Sequence, residues 1–268
     1  MSDQLKSLNS VVGKISAIFS AVSASNGIIS LRDLVEETGL PKSTASRVAK
    51  QLVATGALEE CALGYRMGTR VFELGSVSTL GRLTQVALPF LADIYQTTHQ
   101  VVHLAVLAGT EVLYVEKVAG PRSQGIPSAV GARVPAHCTA LGKILLAFSD
   151  ENVVRAVETA GMVARTPRTV ILPHILRQQL TRFRSTGVAI ERDEAVVGVS
   201  CLACPVLSRV GRPIAAISVT VPSQRFNAEV LGPVVRTTAL ALSRAAVTAG
   251  VTDPLIPLPA MSTASEAG

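Results

Sequence analysis

The chain has 268 residues, 48% of them hydrophobic and 16% charged, with a formal net charge of +6, so it can bury a sizeable core and is long enough for two domains. Four scattered cysteines are not a disulfide scaffold, no uninterrupted apolar run reaches membrane-spanning length, and no leader pattern opens the sequence; a soluble cytoplasmic protein is expected. The basic surplus permits an anionic partner such as nucleic acid but is not gathered at the amino-terminal end, where residues 1–75 hold eight Lys and Arg against seven Asp and Glu.

In chain order, Val11, Ile15, Ile18 and Val22 recur at spacings of four, three and four, which predicts an amphipathic helix. A second helix is predicted from Ser30, a capping hydroxyl with Asp33 near the positive end of the dipole, to Gly39, a left-handed stop. Pro41 suits the first turn of a third helix, whose inward stripe is Ala45, Val48, Ala49, Leu52 and Val53 and which ends at Gly56. "ALEECALGYRMG" then reads as two short strands around a Gly-containing turn.

From about residue 76 a helix carries Leu80, Leu83, Ala87 and Ile94 on one face, which also offers a surface for self-association. Pro89 predicts a kink or two abutting helices there. "HQVVHLAVLAGTEVLYVEKV" is a hairpin around Gly109 and Thr110, followed by a loop and a helix from about His137 to Phe148. Helices at 150–160 and 173–186 precede strands near 188–192, 199–207 and 213–221, and a last helix over 227–249 carries Val230, Val234, Ala241 and Ala245. Strands grouped between helices favour an antiparallel α+β domain, and the Pro-, Ala- and Ser-rich tail over 251–268 is expected to be disordered.

Helix, sharp turn, helix is the arrangement that lays one helix in a major groove while its predecessor braces it. Lys42, Arg47 and Lys50 occur in residues 41–56 without an acid, as a phosphate-facing surface requires. Lys42 and Lys50 suit phosphates, Arg47 can present a planar fork to guanine, and Ser43, Thr44 and Ser46 can reach bases or phosphates. Taken alone these residues describe only a solvated helix face. The hairpin that follows, with Tyr65 and Arg66 near its end, makes the unit a winged helix-turn-helix whose wing can grip adjacent backbone.

"LRDLVEETGLPKSTASRVAKQLVATGALEE…YRMGTRVFELG" closely resembles the amino-terminal domain of the IclR family of bacterial transcription regulators. "VVHLAVLAGTEVLYVEKV…VGARVPAHCTALGKILLAF…TPRTV…GVAIERDEAVVGVSCLACPV…GRPIAAISVTVP" is similar to that family's effector-binding domain, and the two series span roughly residues 8 to 250 in order. The resemblance implies a winged helix-turn-helix domain over residues 8–70, a linker helix region over 71–98 and a GAF/PAS-like antiparallel sheet flanked by helices over 99–250. It implies double-stranded operator DNA, a small-molecule effector and self-association as a dimer or dimer of dimers, with no cofactor, metal or membrane.

The helix start in "PAHCTALGK" would favour a carboxylate, and Ser218 and Thr220 alternate onto one face of a strand. Carried over by motif, the resemblance implies an effector pocket of Ala140, Leu141, Glu191, Cys201, Ser218 and Thr220, with Ile126, Val134 and Val199 as apolar walls. Some relatives have Asp at the Glu191 position and Ser at the Thr220 position. Small residues at a helix start and alternating hydroxyls also serve ordinary packing, which is the competing reading.

Cys201 and Cys204 form C-x-x-C, but residues three apart on a straight strand face opposite sides, which speaks against a redox pair or half a zinc site. Arg165, Arg168, Arg177, Arg182 and Arg184 lie between Glu158 and Glu191 with no intervening acid, as a solvated face or a steering patch. An enzyme would have to use Cys138 beside His137, and no motif ties them to a third group. The remaining alternative is a ligand sensor that acts through protein partners.

Overall fold

The computed structural model describes residues 10–25, 27–121 and 128–251. Two compact units divide the chain between Ser78 and Thr79. The expected tail lies outside the described residues apart from Val251, which is buried.

The amino-terminal unit comprises α1 (Val11–Ala24), β1 (Ile28–Ile29), α2 (Leu31–Thr38), α3 (Lys42–Ala54), β2 (Leu58–Cys61), β3 (Gly64–Met67) and α4 (Thr69–Ser76). Ser30 Oγ accepts from Asp33 N–H at 3.2 Å and donates to Asp33 Oδ2 at 2.8 Å, so cap and acid hold each other. Gly39 ends α2 at φ 65°, where a side chain would be strained. Pro41 stands as the cap before α3 rather than in its first turn, with ψ at 138°. Ala45, Val48, Ala49 and Leu52 then close a core with Ile18, Val22, Leu34 and Leu58, each large aliphatic side chain contributing about 1.5–3 kcal/mol by burial.

Two features differ from the periodicity. Val11 is 67% exposed at the start of α1, leaving Ile18 and Val22 to carry its inward face. The strand β1 is an addition: it pairs Ile28 with Arg66 and Ile29 with Tyr65, so β3 is the centre of a sheet ordered β1-β3-β2. Gly64 permits that approach, because a Cβ there would sit 2.1 Å from Ile29 O.

The carboxy-terminal unit opens with α5 (Thr79–Thr98), β4 (Val101–Ala108) and β5 (Glu111–Val118). Next come β6 (Arg133–Pro135), a single 3₁₀ turn at Ala136–Cys138, α6 (Ala140–Phe148), α7 (Glu151–Ala160) and α8 (Pro173–Thr186). The chain continues through β7 (Ala189–Arg192), β8 (Val199–Leu207), β9 (Pro213–Pro222) and α9 (Ala228–Thr248). The six strands form one antiparallel sheet in the order β6-β5-β4-β9-β8-β7.

The two faces of that sheet differ in bulk. Leu104, Val106, Leu202, Val206, Ile217 and Val219 fill one face against α5 and α9. Ala105, Ala203 and Ala216 occupy the other, under α6 and α8. Strand alternation assigns these residues to faces, and the small side chains leave room on the α6 side.

Several expectations are corrected here. α5 runs through Pro89 as one helix and not as two abutting ones, and the chain breaks earlier, at Val77–Ser78, dividing residues 71–98 between α4 and α5. Leu83, Ala87 and Ile94 are fully buried against the sheet, so the apolar face named for self-association packs within its own unit. The buried stripe of α9 is Leu231, Val235, Ala239, Leu242 and Ala246, one residue on from the predicted one; Val230 is 63% exposed. α9 is long and apolar enough to cross a bilayer by composition, yet this stripe lies in the core and Arg236 and Arg244 interrupt its outer side. The helix expected from His137 begins only at Ala140, after the 3₁₀ turn, with Thr139 as its cap.

Candidate functional site

On α3 the core takes one side and leaves Lys42, Ser43, Arg47 and Lys50 exposed, with Thr44 and Ser46 half-buried. Ser43, Ser46, Arg47, Lys50, Gln51 and Ala54 line one open groove along the helix, and the helix carries no acid. A linear anion laid along this face meets cations and hydroxyls without a repelling carboxylate.

Tyr65 does not join this surface. It is 5% exposed and belongs to the core with Leu34 and Leu58, because β3 alternates and the central strand turns Tyr65 inward. Arg66 points out, but its guanidinium is held by Glu59, 2.9 Å from Nε and 2.8 Å from an outer nitrogen. Glu59 also accepts from Thr69 N–H at 3.3 Å, so the pair ties the hairpin to the start of α4.

The carboxy-terminal unit holds a narrow cavity of about 40 Å³ between the sheet and the start of α6. Ala140, Leu141, Glu191, Val199, Cys201, Ser218 and Thr220, all named for an effector pocket, line this one cavity. Val134 packs instead on the neighbouring core, and Ile126 lies outside the described residues. Sequence reasoning missed His103, Tyr114, Ser128, Thr139, Ala195 and Val196. Strand register supplies the reason: His103 of β4 stands opposite Ser218 of β9, a neighbour relation that no local pattern reveals.

Thr139 Oγ1 accepts from Gly142 N–H at 3.0 Å and so caps α6. Gly142 is required by contact, since a Cβ there would lie 2.2 Å from Ala136 O. Ala140 and Leu141, the first residues of α6 at the positive end of its dipole, line the cavity.

The polar floor is nearly closed to solvent. His103 contacts Ser128 Oγ through Nε2 at 2.8 Å and Thr220 Oγ1 through Nδ1 at 3.4 Å, and burial with Lys117 nearby pushes its pKa down to about 3, so the ring is neutral. Cys201 Sγ lies 3.2 Å from Thr220 Oγ1, and burial pushes its thiol well up. Ser218 Oγ is buried without a hydrogen-bond partner among the described residues. Such an atom is costly unless something arrives to satisfy it.

Glu191 is 1% exposed, and burial raises its carboxyl to about 7 against the pull of hydrogen bonds from Glu194 N–H and from Ala195 N–H at 3.1 Å. Behind it, fully buried Lys143 pairs with Glu194, whose other oxygen accepts from Val170 N–H at 3.0 Å. Burial pushes the Lys143 ammonium down and Glu194 holds it up. This ion pair fixes the loop over residues 193–198 that supplies Ala195 and Val196 to the cavity.

Other candidates separate. Cys204 is buried in the core on the α9 side while Cys201 faces the cavity, so the C-x-x-C sulfurs diverge. Cys138 donates to Pro135 O at 3.4 Å and burial pushes it up to about 12, whereas His137 contacts Val163 O at 3.1 Å; no thiolate and base are assembled. In the arginine run, Arg177 pairs with Glu151 and Glu158, and Arg168 with Asp193, which makes those two part of surface ion pairs.

Residues 77–244 match the family model described as the bacterial transcriptional regulator IclR C-terminal domain, and residues 11–60 match the IclR helix-turn-helix domain. The chain is 32% identical over 204 residues to the HTH-type transcriptional regulator XynR of Escherichia coli, covering 74% of this chain and 81% of that protein. It is 28% identical over 212 residues to the transcriptional repressor IclR of E. coli, covering 77% of each. An IclR homolog from Microbacterium hydrocarbonoxydans, solved in complex with 4-hydroxybenzoate, superposes with a TM-score of 0.84 at 28% identity over 89% of this chain and all of that one. IclR of Thermotoga maritima follows the same fold with a TM-score of 0.71 at 26% identity over 86% of this chain and 97% of that one.

Proposed function

The chain belongs to the IclR family of transcriptional regulators, proteins that pair a helix-turn-helix with an effector-binding domain and are not enzymes, and from that premise we propose that it controls a catabolic operon in the cytoplasm in response to a small organic acid. The observation that carries the proposal is the exposed, acid-free face of α3, with Lys42, Ser43, Arg47 and Lys50 on a helix braced by α2. Arg47 reads a base, Lys42 and Lys50 hold phosphates, and Ser43, Thr44 and Ser46 supply shorter contacts. Arg66 serves at the wing through the part of its guanidinium that Glu59 leaves free.

The effector's carboxylate sits at the amides of Ala140 and Leu141, its oxygen or a polar substituent reaches Ser218, and Thr220 and Cys201 line its flank. Glu191 tolerates an anion there because its carboxyl takes up a proton near neutral pH. The 4-hydroxybenzoate held by the Microbacterium homolog supports an aromatic acid as the class to test first. A cavity of about 40 Å³ must widen to admit one, which links binding to movement of its walls.

Self-association as a dimer or dimer of dimers would match a near-palindromic operator. Exposed Val11, Val12, Phe72, Leu74 and Val77 in the amino-terminal unit supply apolar surface for it, in place of α5. The test is selection of bound sequences from fragmented genomic DNA by the intact protein, followed by mobility shift of the recovered site with 4-hydroxybenzoate and related carboxylates. Enrichment of one site, released or tightened by a carboxylate, is expected. Recovery of no preferred sequence would overturn the reading in favour of a sensor with protein partners.

A further inference from the structure

A second cavity, of about 540 Å³, lies in the carboxy-terminal unit and shares no lining residue with the first. One wall is the face of α9 bearing Arg236, Leu240, Ser243, Arg244 and Val247, positions three or four apart that helical geometry brings to one side. The opposite wall is the end of β8 at Cys204, Pro205 and Leu207, the turn at Arg209, and Phe148 at the end of α6.

Its chemistry is one-sided. Three guanidiniums, those of Arg209, Arg236 and Arg244, border the groove, no carboxylate lines it, and none of the three forms an ion pair among the described residues. Between the cations Phe148, Leu207, Val247 and Leu240, the last 52% exposed, supply apolar surface, with the hydroxyls of Ser208, Ser243 and Thr248 among them.

We propose that this groove is a second ligand site, selective for an amphipathic organic anion whose carboxylate or sulfonate meets the arginines and whose apolar body lies on Leu240, Val247 and Leu207. Guanidinium forks suit such heads, and the apolar bed distinguishes the site from a phosphate-binding patch. A peptide strand is a poorer occupant: Pro205 has no N–H to offer, and the Leu207 N–H is already accepted by Ser243 Oγ at 3.0 Å. The site is independent of the α6 cavity and of the reading given to it.

The test uses the full-length protein and 8-anilinonaphthalene-1-sulfonate, an amphipathic anion whose emission rises in apolar surroundings. Saturable binding is expected, weakened about ten-fold or more in R236Q/R244Q, because charge-assisted contacts are lost. Leu240→Glu, at an exposed position that leaves the core intact, should weaken it similarly by placing a carboxylate among the guanidiniums. Thermal unfolding followed by circular dichroism establishes that both variants fold. Unchanged affinity in both folded variants would overturn the proposal. So would wild-type binding of the dye only when the protein is shifted to a smaller species in gel filtration, since the groove would then be occupied by a second copy. Loss of salt-dependent DNA affinity in R236Q/R244Q with dye binding unchanged would likewise overturn it and assign the arginines to phosphate.

Discussion

The outer face of α3 and the cavity under α6 set their polar groups in opposite surroundings. Arg47 and Lys50 stand in water on a helix whose other side does the folding, so they are free of the core they sit upon. Glu191, Lys143, Glu194 and Ser218 are each at most 6% exposed, and the groups that would meet or support an effector are also the groups that hold the unit together. Changes on the first surface should therefore alter affinity alone. Changes in the second should alter stability and ligand response together.

The largest expected effect breaks the buried ion pair. E194Q removes the ion-pair partner of the fully buried Lys143 ammonium and should cost about 3–5 kcal/mol, measured by urea unfolding of the carboxy-terminal transition. A loss below 1 kcal/mol would mean that Lys143 is neutral or that the pair is not closed.

A pH series sharpens the contrast next. Glu191 has a raised folded pKa, so its contribution is complete below about 4.5 and is lost as pH rises through about 7, a change on the order of 3 kcal/mol. His103 has a depressed folded pKa and acts in reverse, losing stability as pH falls from about 6.5 toward 3. The two oppose each other between about 4.5 and 6.5. Glu191→Gln should unmask the His103 dependence, seen as unfolding free energy that climbs steadily across that interval. Carboxylate affinity in the parent protein should fall as pH rises past 7, and a flat profile in calorimetry would argue against a proton-linked Glu191.

Arg47→Ala tests the other half of the comparison. It should remove about 1–3 kcal/mol of operator affinity while unfolding stability stays within about 0.5 kcal/mol, read by fluorescence anisotropy and thermal melts of the same preparation. Equal affinity for the selected site would show that Arg47 reads no base. The smallest effect, and one of unusual sign, belongs to Ser218→Ala. Removing an unpartnered buried hydroxyl should leave stability level or raise it by about 1 kcal/mol while weakening the effector response.

The amino-terminal unit was largely legible because its signals are local. Ser30 with Asp33, the left-handed Gly39 and the apolar stripe of α3 all act within a few residues, and each stands where its spacing indicates. Besides Val11 and Pro41, the misread position was Tyr65, a polar-tipped aromatic on a strand paired with β1, a two-residue partner too short to announce itself. In the second unit, resemblance to a family supplied seven lining residues, and the six it missed arrive from β4, β5, the Ser128 segment, the cap of α6 and the loop after β7.

The face of α9 separates local from global information most clearly. Its apolar residues recur densely enough that a stripe through Val230 and a stripe through Leu231 are both present in the sequence, and only packing against β8 and α5 selects the second. By itself the sequence determined most of the helices, the cap and stop of α2, the hairpins and the acid-free face of α3, because those depend on intervals of two to four residues. The tertiary structure decided which face of each element turns inward, and it built both cavities. Those depend on strand order and on side-chain packing, with alanines leaving space on the α6 side of the sheet.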